Sequence, residues 1–257
     1  MDIKQLVLNT LVYADQIKAG QMTQMDCLDK ATDFGIGRVE LRRELLDTPP
    51  DGQSVELAGL RRRAEQLGVE LYYSVPEGLC QADGVNPAAA GHLEEALALG
   101  ATHIKWNVGL FTGQGRGLAE LVGQGVAAGL RLDVENDQSD SGGTLEAVQA
   151  ILDFAERNGI DLGLTFDVGN WRIRGYDPVE VAARLTGQVR YIHLKDIAVQ
   201  PGPDAKLTVA PVGQGSLDLA GVLANLPSDL PVAYEFRVPS DQVLAQSIAV
   251  LFGPGTR

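Results

Sequence analysis

Residues 164–196, LTFDVGNWRIRGYDPVEVAARLTGQVRYIHLKD, predict a strand, a helix and a second strand. The helix has a start signal in Asp177, which is placed to cap it, and in Pro178 of the first turn. Parallel strands joined by a helix end on the same side of a sheet, so Asp167 and His193 are expected on one rim. This pair could bind a metal ion, or Asp167 could cap a loop and His193 be a hydrogen-bonded core residue. The stretch alone leaves both interpretations open.

The whole chain of 257 residues repeats this strand-and-helix unit. Glycines that close helical segments recur about every 30 residues, the length of one such unit. Eight alternations predict a single (β/α)8 TIM barrel domain over residues 1–257, with an open doubly wound sheet as the alternative. The predicted strands are LVLNT, GRVELR, VELYYSV, THIKWNV, LRLDVEN, LGLTFDV, VRYIHLK and VAYEFRV.

The last four predicted strands each bring one possible metal ligand to the rim where TIM barrels place their chemistry. These residues are Glu135, Asp167, His193 and Glu235. Three buried carboxylates repel one another unless a cation lies between them, which favours the metal interpretation. Carboxylate-rich ligands suit manganese, magnesium or cobalt better than zinc. We therefore expect one divalent ion, with manganese as the first choice and zinc less favoured.

The motifs around these residues resemble those of the xylose-isomerase-like sugar phosphate isomerase/epimerase superfamily. They are VEN with Glu135, FDVGN with Asp167, IHLKD with His193 and AYEF with Glu235, and PVGQGSLDL resembles a further family stretch. The resemblance covers about residues 130–237, and earlier residues match only in strand rhythm. It implies that the four residues bind one divalent metal ion, often manganese. It also implies that Glu135 and Glu235 act as acid and base.

The reaction expected from this resemblance is isomerisation or epimerisation of a hydroxy-carbonyl sugar, sugar acid or sugar phosphate. The glutamates would transfer a proton through a metal-stabilised ene-diolate. The alternative is a dehydratase of a cyclitol or keto acid, of the inosose or dehydroshikimate type, in which the same intermediate loses a hydroxyl group. Asn170 stands where ketose epimerases of the superfamily usually carry His, which argues against a plain ketose 3-epimerase. An endonuclease and a non-enzymatic sugar binder rank lower.

Cationic side chains gather near the predicted strand ends although the net charge is -13. We interpret them as binding an anionic, sugar-like substrate, with Lys195 as the first candidate. Asn170 is expected to hydrogen-bond a substrate hydroxyl, and Trp171 to form a wall against the sugar ring. The predicted substrate-binding residues are Lys195, Asn170, Trp171, Arg174, Lys105, Arg42 and Arg237.

Composition excludes several other classes of protein. An acidic chain repels phosphate backbones, which argues against a nucleic-acid partner. No apolar run reaches membrane-spanning length, and no leader pattern is evident, so we expect a cytoplasmic protein without a membrane partner. Cys27 and Cys80 cannot make a disulfide scaffold. The family resemblance also implies a homodimer or homotetramer.

Overall fold

The computed structural model describes residues 1–46, 55–200 and 206–253. Within them, eight parallel strands form a ring in which each strand pairs with its neighbours in chain order. The ring closes through pairing of the first strand with the last, Leu6 opposite Val232. We number these strands β1 Leu6–Asn9, β2 Arg38–Arg42, β3 Glu70–Gln81, β4 His103–Gly109, β5 Arg131–Glu135, β6 Leu162–Asp167, β7 Val189–Leu194 and β8 Val232–Tyr234. The predicted (β/α)8 TIM barrel is confirmed, and the open sheet is wrong.

Helices alternate with the strands around the outside of the ring. In the described ranges they are α1 Ala14–Lys18, α2 Gln24–Asp33, α3 Val55–Leu67, α4 Ala89–Leu99, α5 Leu118–Ala127, α6 Leu145–Arg157, α7 Val168–Ile173, α8 Pro178–Leu185, α9 Leu219–Ala224 and α10 Asp241–Phe252. Their apolar faces pack on the outer face of the strands and form the main core. None of the helices in these ranges is long and apolar enough to cross a membrane.

The chain between β6 and β7 differs from the sequence prediction in one respect. Helix α8 begins at Pro178 as predicted, and the Asp177 carboxylate accepts a hydrogen bond from Val179 N at 2.8 Å. Helix α7, however, begins at the residue after β6, where the sequence was interpreted as a loop. Asp167 is its N-cap. The residues after Asp167 therefore follow helical geometry, which decides where their side chains point.

Two short antiparallel additions extend the barrel at the rim. Strand β3 continues past a bulge and pairs with Gly84–Val85. After β7, strands Asp196–Gln200 and Lys206–Ala210 form an antiparallel pair. The alternation of strand and helix signals did not reveal either addition, because each is shorter than the repeating unit.

Candidate metal centre

The four predicted ligands converge at the carboxyl ends of β5 to β8. Glu135 and Asp167 are the last residues of β5 and β6, His193 lies one residue before the end of β7, and Glu235 follows β8 directly. One ligand atom from each residue lies within 4.8 Å of those of the others. All four side chains are buried. The structure thus brings together the four groups that the sequence selected, while their role as metal ligands stays a prediction.

Asp167 caps a helix and is also a member of the cluster. Its Oδ1 accepts a hydrogen bond from Asn170 N at 2.7 Å and so caps α7. Asn136 fixes the backbone of Asp167 through two hydrogen bonds of 2.9 Å. The buried Oδ2 of Asp167 lies 2.7 Å from Lys195 Nζ, which is its cationic partner. A fully buried carboxylate needs such a cation, either an ammonium or a metal ion.

His193 is held by a carboxylate that the sequence analysis did not assign to the site. Its Nε2 lies 2.8 Å from Oε2 of Glu40, a buried residue of β2, and Tyr191 OH donates to the same oxygen. A proton on Nε2 leaves Nδ1, 2.7 Å from Glu135 Oε1, as the atom that faces the cluster. Carboxylate support of this kind is usual behind a metal-binding histidine. The sequence held one signal for this role. Glu40 stands two residues before Arg42 in β2, so the two side chains lie on the same face of that strand.

Three of the predicted substrate-binding cations contact the same carboxylates. Arg42 Nη1 lies 2.6 Å from Glu235 Oε1, and Lys105 Nζ contacts Glu135 Oε2. Lys195 Nζ lies 2.7 Å from both Asp167 Oδ2 and Glu235 Oε2. All three cations are buried. They partly neutralise the carboxylates, which explains how the protein tolerates so many acidic groups in its interior.

The pKa shifts show that the carboxylates do not ionise independently. Burial raises the pKa of Asp167 well above its ordinary value, and the Glu235 and Glu135 carboxylates add to the shift, against the opposing effect of Lys195. Burial acts in the same direction on Glu235, but Lys195 and His193 outweigh it and hold the pKa of that carboxyl well below its ordinary value. One acidic group of the cluster therefore favours a proton or a further cation.

A cavity of about 550 Å³ opens beside the cluster at this rim. Of the four clustered residues, Glu135 and Glu235 belong to its described lining, whereas Asp167 and His193 do not. The wall also contains five predicted substrate-binding residues, Arg42, Lys105, Asn170, Lys195 and Arg237. Two glutamates thus face the space in which a small molecule would bind, with cations around them.

Solved structures with the same fold include a probable dehydratase, a protein with a bound zinc atom and an epimerase. The probable 3-DHS dehydratase AsbF of Bacillus anthracis is 14% identical, over 99% of this chain and 100% of that chain, with a TM-score of 0.72. The IolI protein, solved with a bound zinc atom, is 15% identical over 96% and 97% of the chains, with a TM-score of 0.72. A D-allulose 3-epimerase from Methylomonas, in complex with D-allulose, is 14% identical over 96% and 89%, with a TM-score of 0.65.

This chain has the fold of the xylose-isomerase-like TIM barrels. No protein-family model and no curated protein matches its sequence. At these identities the likeness concerns the fold alone.

One predicted substrate contact, Trp171, needs correction, and a second, Arg174, stays a prediction. Trp171 is fully buried and packs against Phe166 and Tyr176, with ring centroids 5.9 and 5.5 Å apart, so it is a core residue and not a substrate wall. Helix α7 is the reason, because its first turn directs Asn170 to the cavity and Trp171 to the core. Arg174 lies outside the described cavity wall, and its Nη1 is 2.8 Å from Asp140 Oδ1.

The PVGQGSLDL stretch has a structural explanation in the same barrel. The buried Asp196 carboxylate accepts hydrogen bonds from the backbone nitrogens of Gly213, Gly215 and Leu217, at 2.9 to 3.2 Å. A Cβ at Gly215 would lie 2.1 Å from Asp196 Oδ1, so glycine is needed for this close approach. The contact ties the loop to the residue after Lys195 and stiffens this side of the cavity.

Proposed function

We propose that this protein is a divalent-metal-dependent isomerase or epimerase of a hydroxy-carbonyl sugar, sugar acid or sugar phosphate. One observation carries the proposal: Glu135 and Glu235, both members of the buried cluster, line the cavity from β5 and from the residue after β8. Carboxylates that reach a substrate from two separate strands can remove a proton at one position and return it at another.

The residues fit a resident metal ion. Three carboxylates and one imidazole meet in one place, with one ligand atom of each within 4.8 Å of the others, and this is a donor set that suits a divalent ion. Glu135, Asp167, His193 and Glu235 would hold the ion. When bound, it would polarise the substrate carbonyl and acidify the adjacent C–H. Hard oxygen ligands favour manganese, magnesium or cobalt, and the zinc bound by IolI keeps zinc among the metals to test.

The chain's own groups supply the remaining chemistry. Glu135 would accept the proton from the carbon next to the carbonyl, and Glu235 would return a proton to the other face or to the neighbouring carbon. Burial opposes ionisation of Glu135, but Lys105 outweighs it and holds the pKa of the carboxyl below its ordinary value, which keeps the group ionised, the form that can accept a proton. The cationic wall favours an anionic substrate, and Asn170 would bind a hydroxyl group.

A dehydratase of a cyclitol or keto acid is the second candidate. The probable 3-DHS dehydratase AsbF shares the fold over nearly the full length of both chains. Elimination of a β-hydroxyl begins with the same proton removal, so the same two glutamates would serve it. The two reactions differ in whether the product has lost water.

The decisive experiment follows proton exchange at carbon. Protein loaded with manganese is incubated in heavy water with sugar acids, sugar phosphates and inososes, and NMR detects deuterium uptake or loss of water. We expect exchange with at least one anionic substrate and none after EDTA treatment. Glu135→Gln and Glu235→Gln should each reduce exchange by at least ~100-fold, whereas Glu156→Gln, an exposed residue of α6, should not. A folded protein that binds no divalent ion would refute the proposal.

A further inference from the structure

Lys195 occupies a position that bridges two members of the cluster. Its Nζ lies 2.7 Å from Asp167 Oδ2 and 2.7 Å from Glu235 Oε2, and the side chain is nearly fully buried. Gly169 leaves room for its aliphatic stem, because a Cβ there would lie 2.5 Å from Lys195 Cγ. Glycine at position 169 of α7 thus provides the space in which Lys195 reaches both carboxylates.

The two oxygens that Lys195 contacts belong to residues that would hold the metal ion. A lysine ammonium and a divalent cation repel each other and attract the same carboxylates. Lys195 also lines the cavity, so it can contact a molecule bound there. Arg42, by comparison, has a partner outside the cluster, because its guanidinium lies 2.8 Å from Glu44 Oε1. Lys105 contacts one of the four clustered residues, Glu135, whereas Lys195 contacts two. Lys195 is therefore the cation that an incoming metal ion would affect most directly.

We propose that Lys195 is an internal counter-ion that competes with the metal ion for Asp167 and Glu235. Binding of the ion releases its ammonium for an acidic group of the substrate, either a carboxylate or a phosphate. The metal ion and the anionic ligand then bind with positive coupling, since each favours the state in which Lys195 has left the two carboxylates. This inference rests on the metal centre of the proposed function.

The first test measures metal affinity and metal-free stability in the same variants. Lys195→Met removes the charge and keeps an aliphatic stem, and Lys195→Gln is a second neutral variant. After EDTA treatment, manganese binding is followed by EPR and unfolding by urea. We expect manganese to bind the neutral variants at least ~10-fold more tightly than wild type, because a buried positive charge beside the site is gone. We also expect the metal-free variants to unfold at lower urea concentration.

Tighter manganese binding together with lower metal-free stability distinguishes a counter-ion from a lysine that only supports the fold. Lys195→Arg, which keeps the charge, should resemble wild type. Lys30→Met serves as the matched control, because Lys30 pairs with Asp241 at 2.5 Å outside the cavity. Unchanged or weaker manganese binding in the folded neutral variants would overturn the inference alone. Absence of manganese binding in wild type would instead refute the metal centre, and the inference with it.

The second test measures coupling between the ion and an acidic ligand. D-gluconate, D-glucitol 6-phosphate and neutral D-glucitol share a polyol chain, and calorimetry compares their binding with and without manganese. We expect manganese to increase the affinity of wild type for one of the two anions by at least ~10-fold. The anion that responds identifies the acidic group. Lys195→Met should lose this increase. Equal coupling for D-glucitol, or coupling that persists in Lys195→Met, would overturn the inference.

Discussion

Replacement of Glu40 tests how the barrel orients the imidazole of the candidate metal centre. Glu40 is fully buried, and its Oε2 lies 2.8 Å from His193 Nε2. A hydrogen bond to a charged group contributes about 1.5 to 3 kcal/mol, which corresponds to a factor of roughly 10 to 150 in a binding constant. Loss of comparable carboxylate support behind a metal ligand costs 10- to 100-fold in metal affinity. We therefore expect Glu40→Gln to weaken manganese binding by about 10- to 100-fold.

The assay combines a manganese titration with a direct view of the imidazole. EPR reports free manganese, and ¹⁵N NMR of labelled histidine identifies which ring nitrogen carries the proton. In protein loaded with diamagnetic magnesium, wild type should show the proton of His193 on Nε2, and Glu40→Gln should show a mixture of tautomers. Glu44→Gln removes a nearby negative charge that pairs with Arg42 and not with His193, so it controls for the loss of charge alone. Wild-type affinity and a single Nε2–H tautomer in folded Glu40→Gln would refute this reasoning.

Three further outcomes follow from the structure. Trp171→Ala should lower the free energy of unfolding by about 3 to 5 kcal/mol in a urea titration, because it empties a fully buried site; a loss below 1 kcal/mol would contradict its place in the core. Gly215→Ala should lower the melting temperature more than Gly123→Ala, where a Cβ meets open space; equal melting temperatures would contradict the close approach to Asp196. Burial opposes ionisation of Glu95, but hydrogen bonds from Arg43 and Tyr73 outweigh it and hold the pKa of the carboxyl below its ordinary value. Glu95→Gln should therefore lower the free energy of unfolding at pH 7, and the gap between wild type and variant should shrink as the pH falls below about 4.3 and through the folded-state pKa. A gap in urea unfolding that stays constant across this range would count against the pairing.

Much of the fold was predictable because its signals are local and repeated. Most barrel strands are short runs rich in apolar residues, and several of the neighbouring helices have a recognisable cap, such as Asp177 before α8. The convergence of the four clustered residues also followed, since parallel strands in a closed barrel end at one rim. Glu40 was not assigned because its partner His193 is 153 residues away, and no local pattern records a contact at that distance.

The errors at the site have a physical cause in local geometry. Trp171 was placed in the cavity because residues after a strand end were treated as a loop, whereas Asp167 caps a helix there at once. The pairing of Lys195 with Asp167 and Glu235 was equally hidden, because sequence shows a cluster of charges and not which of them touch. Both features depend on side-chain direction within a single turn.

The shortest strand of the ring has a consequence for how the protein matures. Strand β8 contains three residues and pairs with both β1 and β7, and Glu235 comes directly after it. On the ribosome, Glu235 emerges last of the four clustered residues, after the other three are already synthesised. A nascent chain therefore cannot bring the four side chains together before its final strand joins the first. For the metal centre that we propose, closure of the ring is the step that completes the ligand set.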